Sequence, residues 1–157
     1  MRGRLHSLSG RLAQAARFVA REPLSGLLIA RMAAWVAATS LLLNLLPFEK
    51  AMVIITPLRR RESVRDPAET AETQARLSRL LDLLLATDFW LYTPTCWKRA
   101  PVLYRFLALS GIRTRVVFGV RRKESGALDG HAWLEADGEP LLERTAPDYT
   151  VTFSYPT

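Results

Sequence analysis

Hydrophobic and polar positions divide the chain into an apolar helical front and a mixed α/β back. Residues 1–21 set Leu5, Leu8, Leu12, Ala15, Ala16 and Val19 at three- and four-residue spacing, with Arg4, Arg11, Arg17 and Arg21 elsewhere. That spacing predicts a basic helix, which Pro23 ends or kinks. Residues 24–48 are almost entirely apolar, broken by Arg31 and Asn44. Composition favours a helix buried against the rest of the protein or against a partner. A membrane-associated or spanning helix is the alternative: Met32 to Phe48 is 17 residues, the lower limit for crossing a hydrocarbon core. Arg31 at its edge then suits an interface, with the upstream arginines on the cytoplasmic side. A cleaved signal fits least, because the apolar run starts late and lacks a small-x-small exit. Pro47 closes the segment.

Residues 57–75 read as a polar connector with two prolines and a basic patch, Arg59–Arg61, of the kind that usually forms a solvated turn. Ala68 to Ala86 follows as a helix with Leu77, Leu80, Leu81, Leu84 and Leu85 in one stripe. Glu69 and Glu72 lie near its positive end. From residue 87 the pattern changes to a loop, then a helix ending at Gly111, a favourable residue just past a helix end. RTRVVFGVRR predicts a strand, HAWLEA a second, Asp137-Gly138 a turn and PLLER a third. YTVTFSY predicts a final strand or an extended tail. Helices followed by an antiparallel sheet make an α+β fold. The predicted organisation is a basic, apolar helical region over 1–65 for docking on a partner or membrane, then a catalytic domain over 66–157.

Composition narrows the function. The 157 residues are 49% hydrophobic and 24% charged, which fits one folded domain with a helical appendage and excludes wholesale disorder or a polytopic membrane protein. The formal charge of +7 first suggests nucleic acid. It is lopsided, however: residues 1–65 hold eleven Lys and Arg against three acids, net +8, and residues 66–157 hold eleven against twelve, net −1. With no recognisable nucleic-acid motif and the basic residues beside an apolar helix, that reading fails. One cysteine, Cys96, excludes an intramolecular disulfide. His6 and His131 lack the spacing of a metal-ligand cluster.

Cys96 and His131 form a candidate nucleophile–base pair. A thiol of ordinary pKa is mostly protonated at neutral pH and needs an imidazole, cations or a helix N-terminus to hold it as thiolate. Thr95 can cap a helix that puts Cys96 in its first turn, and Lys98 and Arg99 add positive charge. Pro101 is a difficulty: it lies too deep for the first helical position, so it either kinks this helix or marks a later start.

A third residue should orient the imidazole; Glu135, Asp137, Glu139, Glu143 and Asp148 lie downstream of His131. Glu135 is about 13 Å along the same strand. Asp137 and Glu139 are farther, at the hairpin tip. Register governs Glu143. A two-residue turn at Asp137-Gly138 pairs residues whose numbers sum to 275, facing His131 with Arg144 and turning Glu143 away. A three-residue loop puts Glu143 on the His131 face, so a role for Glu143 requires that second register, with a bulge or a longer loop.

From Cys96 to Glu143 the sequence resembles the transglutaminase-like leader peptidases of lasso-peptide biosynthesis, relatives of the microcin-processing enzymes. The resemblance rests on Cys96 opening a helix, Leu103-Tyr104-Arg105 within it and Gly111-Ile112 at its end. It continues in the strand Val117-Phe118-Gly119-Val120-Arg121, in His131-Ala132-Trp133-Leu134-Glu135 and in Asp137-Gly138. The Arg-punctuated apolar front ending in Leu46-Pro47-Phe48 is also similar. The resemblance implies a papain/transglutaminase-like core whose nucleophile is Cys96 and whose histidine is His131. The family's acid, usually Asp, falls at Glu143, one methylene longer, with Asp148 in reserve. It also implies cytoplasmic leader-peptide cleavage by acyl transfer without metal or cofactor. The implied partners are the precursor peptide, a leader-recognition protein and an asparagine-synthetase-like cyclase, with peripheral membrane contact through 24–48 as a further option. Cys96 N–H is the expected oxyanion donor, with Tyr92 or another amide as the second. Trp97 and Trp133 are core, or they shield the His–acid contact or shape a substrate groove.

Overall fold

Four helices and four strands are set out in a computed structural model, in which residues 23–58, 66–86, 95–143 and 145–156 are described. The expected helix over 1–21, the Arg59–Arg61 patch, Tyr92 and Arg144 lie outside these residues. Helix α1 spans Pro23–Leu45, α2 Phe48–Ile55, α3 Pro67–Leu85 and α4 Cys96–Leu109. Strands β1 Arg115–Arg122, β2 Leu128–Ala136, β3 Glu139–Leu141 and β4 Thr150–Tyr155 follow. They form one antiparallel sheet in the order β3-β2-β1-β4, so the α+β class read from the sequence is the one observed.

Helix α1 is apolar all round, and its buried side carries Met32, Val36, Thr39 and Ser40. Two of its polar residues are satisfied within the helix: Ser40 Oγ donates to the Val36 carbonyl at 2.9 Å and Asn44 Nδ2 to that of Ser40 at 2.8 Å. Gly26–Leu45 is long and apolar enough to cross a membrane, with 22% of its most apolar window buried. Met32 and Val36 lie in the protein core, while Leu27, Leu41 and Leu45 face out. Pro47 ends the apolar run, as expected, but at once starts α2, which the sequence pattern did not predict. Val53, Ile54 and Ile55 are poor helix formers; burial of Ala51, Met52 and Ile55 on one side overrides that preference. Helix α3 begins one residue before the predicted Ala68: Asp66 Oδ1 accepts from Ala68 N at 3.3 Å, and Pro67 takes the first turn.

The core joins all four helices to one face of the sheet. Leu81, Leu103 and Leu107 are fully buried, each contributing about 1.5–3 kcal/mol relative to exposure. Val116, Phe118, Ala132 and Leu134 supply the sheet side. Tyr104, 1% exposed in α4, has its hydroxyl 3.4 Å from Thr56 Oγ1, which also lies 3.2 Å from the Tyr155 hydroxyl. That node ties the end of α2 to α4 and β4. Arg105 spreads over the Trp35 ring at 3.6 Å; partial burial, then the nearby Arg31 charge, lower its pKa from the usual value.

Alternation along the strands turns Arg115, Val117, Gly119 and Arg121 of β1, with Glu135, Trp133, His131 and Asp129 of β2, to the opposite face. Strand β2 begins at Leu128, three residues before the predicted start, because Leu128–Gly130 pair with Val120–Arg122. Between Phe118 and Gly119 the register with β4 slips by one. The extra residue, Thr152, fixes the bulge by donating from Oγ1 to the Phe118 carbonyl at 3.2 Å.

Candidate active site

Cys96 is the first residue of α4. Thr95 precedes it with extended backbone (φ −135°, ψ 142°), and its carbonyl accepts from the N–H groups of Lys98 (3.1 Å) and Arg99 (3.0 Å). Its side chain makes no capping hydrogen bond, unlike the expectation from sequence; Thr95 lines the cleft instead. Pro101 does not mark the start of the helix. It is the sixth residue of α4 and is buried, so Trp97's carbonyl forgoes its usual intrahelical donor. Packing of Pro101, Val102 and Leu103 into the core outweighs that loss. The N–H groups of Cys96 and Trp97 have no acceptor within the helix and the dipole's positive end lies there.

Arg99 is not the uncommitted cation anticipated. Its Nε contacts Asp82 Oδ1 at 2.6 Å, and its Nη2 reaches Asp82 Oδ2 at 3.2 Å and Ser78 Oγ at 2.8 Å. A forked pair of this kind leaves little net positive charge beside the thiol.

Glu143 meets His131 by a route the register argument did not foresee. The hairpin keeps the two-residue turn: Asp137 (φ 52°) and Gly138 (φ 86°) both take the left-handed conformation, as this tight turn demands. Leu134 pairs with Leu141 and Glu135 with Pro140, the register that sums to 275. Continued as a strand, it would turn Glu143 away from His131. Strand β3 stops at Leu141, however, and Leu142 adopts φ 60°. This single left-handed residue, which costs about 1–2 kcal/mol for a non-glycine, rotates the chain. Glu143 Oε2 thereby comes within 3.2 Å of His131 Nε2. The expectation that this contact needs the second register, with a bulge or a longer loop, is corrected.

Of the other acids, Glu135 is engaged elsewhere. Glu135 accepts the Trp133 indole N–H at 3.0 Å and pairs with Arg115 at 2.6 Å. Glu139 pairs with Ala136 at the hairpin end, and Asp148 is exposed. Trp133 is 3% exposed and stacks on His131 with centroids 5.9 Å apart and planes at 16°. Trp97 is 45% exposed and packs on Phe118 at 4.6 Å.

Two residues beside His131 went unnoticed in the sequence. The Tyr149 ring lies 5.4 Å from the imidazole, and its hydroxyl donates to Asp129 Oδ2 at 3.0 Å. Asp129, itself bound by Arg121 at 3.0 Å, has its pKa held below the usual carboxylate value, first by the Tyr149 hydrogen bond and then by Arg121. The signal was Gly119, an isolated glycine in a strand, which marks a close approach. A Cβ there would lie 2.7 Å from Tyr149 Cβ.

Cys96, His131 and Glu143 line one cleft of about 570 Å³, with Leu85 and Leu142 on its apolar side and the Asp82–Arg99 pair on its polar side. Among the described residues no group of three or more His, Cys, Asp or Glu is able to hold a metal. The sequence profile of the transglutaminase-like superfamily matches residues 42–154. The chain belongs to that superfamily. This transglutaminase-like protein thus has the fold type of cysteine peptidases and acyltransferases. The match starts inside α1 and runs through α2, both of which pack into the common core. No curated protein and no solved structure matches the chain.

Proposed function

We propose that this transglutaminase-like protein is a cysteine peptidase, with Cys96 as nucleophile, His131 as general acid–base and Glu143 as the group that orients the imidazole. One observation carries the reading: the single cysteine lines the same cleft as a His131–Glu143 pair at 3.2 Å. With Nε2 turned to the carboxylate, Nδ1 is the nitrogen left to exchange protons. The Cys96 thiolate attacks the scissile carbonyl carbon. The C–N bond then breaks as imidazolium gives its proton to the leaving amine. His131, now neutral, takes a proton from water, whose oxygen displaces Sγ from the thioester and restores thiolate and imidazolium. Cys96 N–H is the assigned oxyanion donor.

The finer assignment is removal of the leader from a ribosomally made lasso-peptide precursor. It is supported by the residue pattern from Cys96 to Glu143, and its partners would be a leader-recognition protein and an asparagine-synthetase-like cyclase. The test is precursor processing by the wild type and by Cys96→Ala. Expected are two wild-type fragments whose masses sum to the precursor plus one water, and an intact precursor with the variant. Amine incorporation with release of ammonia would instead identify an acyltransferase. Full cleavage by Cys96→Ala would sink the mechanism, and an intact precursor with the wild type would favour a peptide-binding module.

A further inference from the structure

We infer that Tyr149 is a positioning residue for His131, its ring and its tethered hydroxyl fixing the plane in which the imidazole meets Cys96. The inference rests on the reading of Cys96 and His131 as a working pair.

The Glu143 contact at Nε2 is one hydrogen bond, and one hydrogen bond fixes a point on the ring rather than its plane. The plane needs walls. Trp133, nearly parallel at 16°, and Tyr149, tilted by 34°, supply two adjacent ones; their own centroids are 6.2 Å apart, so the three rings form one triangular cluster. Tyr149 is itself held at both ends. Its hydroxyl donates to Asp129, which Arg121 and Lys123 hold at 3.0 and 3.4 Å. The Arg121 guanidinium also lies 4.5 Å from the centre of the Tyr149 ring. At Gly119 there is no side chain to keep Tyr149 off the strand. Burial and the hydrogen bond to Asp129 both raise the Tyr149 pKa, so its hydroxyl remains a donor. The titratable groups around His131 are thus Glu143 at Nε2, Cys96 and Asp82–Arg99 in the cleft, and Tyr149 with Asp129, Arg121 and Lys123 behind it. Glu135–Arg115 lies beyond Trp133.

Because Cys96 is the chain's single thiol, its alkylation by iodoacetamide as a function of pH reports thiolate formation at that atom alone. Imidazolium beside a thiol supports the thiolate, so a difference in midpoint between variants reports a difference in how the two groups are aligned. Tyr149→Ala should raise the midpoint by about one pH unit and lower kcat about 10²-fold, with KM within about twofold, as expected for a misplaced catalytic group. Tyr149→Phe keeps the ring but loses the tether to Asp129, and should shift the midpoint about half as far. A folded Tyr149→Ala protein with wild-type midpoint and kcat overturns the inference. If that variant does not fold, an unchanged midpoint in Tyr149→Phe overturns it equally. His131→Ala separates the two levels: no shift there removes the Cys96–His131 pair itself, whereas a shift there with none at Tyr149 removes only the role of Tyr149.

Discussion

Replacing Gly119 by alanine should damage the site more than the fold. The added Cβ would lie 2.7 Å from Tyr149 Cβ, 3.0 Å from Trp133 Cη2 and 3.1 Å from the Thr150 carbonyl oxygen. Two of these neighbours are backbone or next to it, so no rotamer change relieves them. Tyr149 and Thr150 must move, and with them the start of β4. Overpacking of this kind costs about 1–3 kcal/mol. At roughly 2–4 °C per kcal/mol for a chain of this size, Tm should fall by about 2–12 °C. The displaced atoms belong to both aromatic walls of His131, so kcat/KM should fall by about 10-fold or more at temperatures where the variant is fully folded. Thermal unfolding and cleavage kinetics on the same preparation read both effects. Gly130→Ala is the control: its Cβ would sit at 3.8 Å from Trp97 Cζ2 and 3.9 Å from the Gly119 carbonyl, ordinary contact distances. It should be neutral or stabilising by about 0.4–1 kcal/mol. Wild-type Tm and activity in Gly119→Ala would refute the close approach on which the aromatic cluster depends.

Three further outcomes follow from the geometry. Leu142→Pro, which forbids the φ of 60°, should uncouple Glu143 from His131 and lower kcat/KM about 10²-fold, while Leu142→Gly retains activity; equal activity in the two would show that the left-handed turn does not deliver the acid. Glu143→Gln keeps the shape but cannot stabilise imidazolium, so it should lower kcat/KM by about 10²–10⁴-fold and move the Cys96 alkylation midpoint upward; an unmoved midpoint argues against pairing through His131. Asp129 has its folded pKa depressed by Tyr149 and Arg121. Its contribution to stability is therefore present above the ordinary carboxylate value of about 4 and is lost as pH falls through the lower folded value. The acid limb of a Tm-against-pH curve should be shallower in Asp129→Asn, and identical limbs would contradict the assignment.

Most of the elements were legible because their signals are local: the leucine stripe of α3, the β-branched run of β1 and the Asp137-Gly138 turn. Helix α2 was hidden because Val53-Ile54-Ile55 locally disfavours a helix that only tertiary burial of Ala51, Met52 and Ile55 sustains. The Glu143–His131 contact was legible by residue type and approximate place but not by the route that makes it. Register arithmetic assumes a strand that continues, and Leu142, an ordinary residue in an uncommon conformation, ends it. Arg99 read as a local cation because Asp82 is 17 positions away in the preceding helix. Tyr149 was missed for the same reason: nothing near it in sequence announces that β4 carries it to Gly119.

The link from Thr56 to Tyr155 spans 99 positions, and it bears on when the thiol acquires its environment during synthesis. Strand β4 pairs with β1 across an intervening hairpin, and such long-range pairing forms late. Cys96 emerges from the ribosome first, then His131, then Glu143, and Tyr149 only with β4. A nascent chain short of β4 carries the cysteine without the tyrosine beside its base. The order of residues along the chain thereby delays full assembly of the proposed peptidase until the sheet closes.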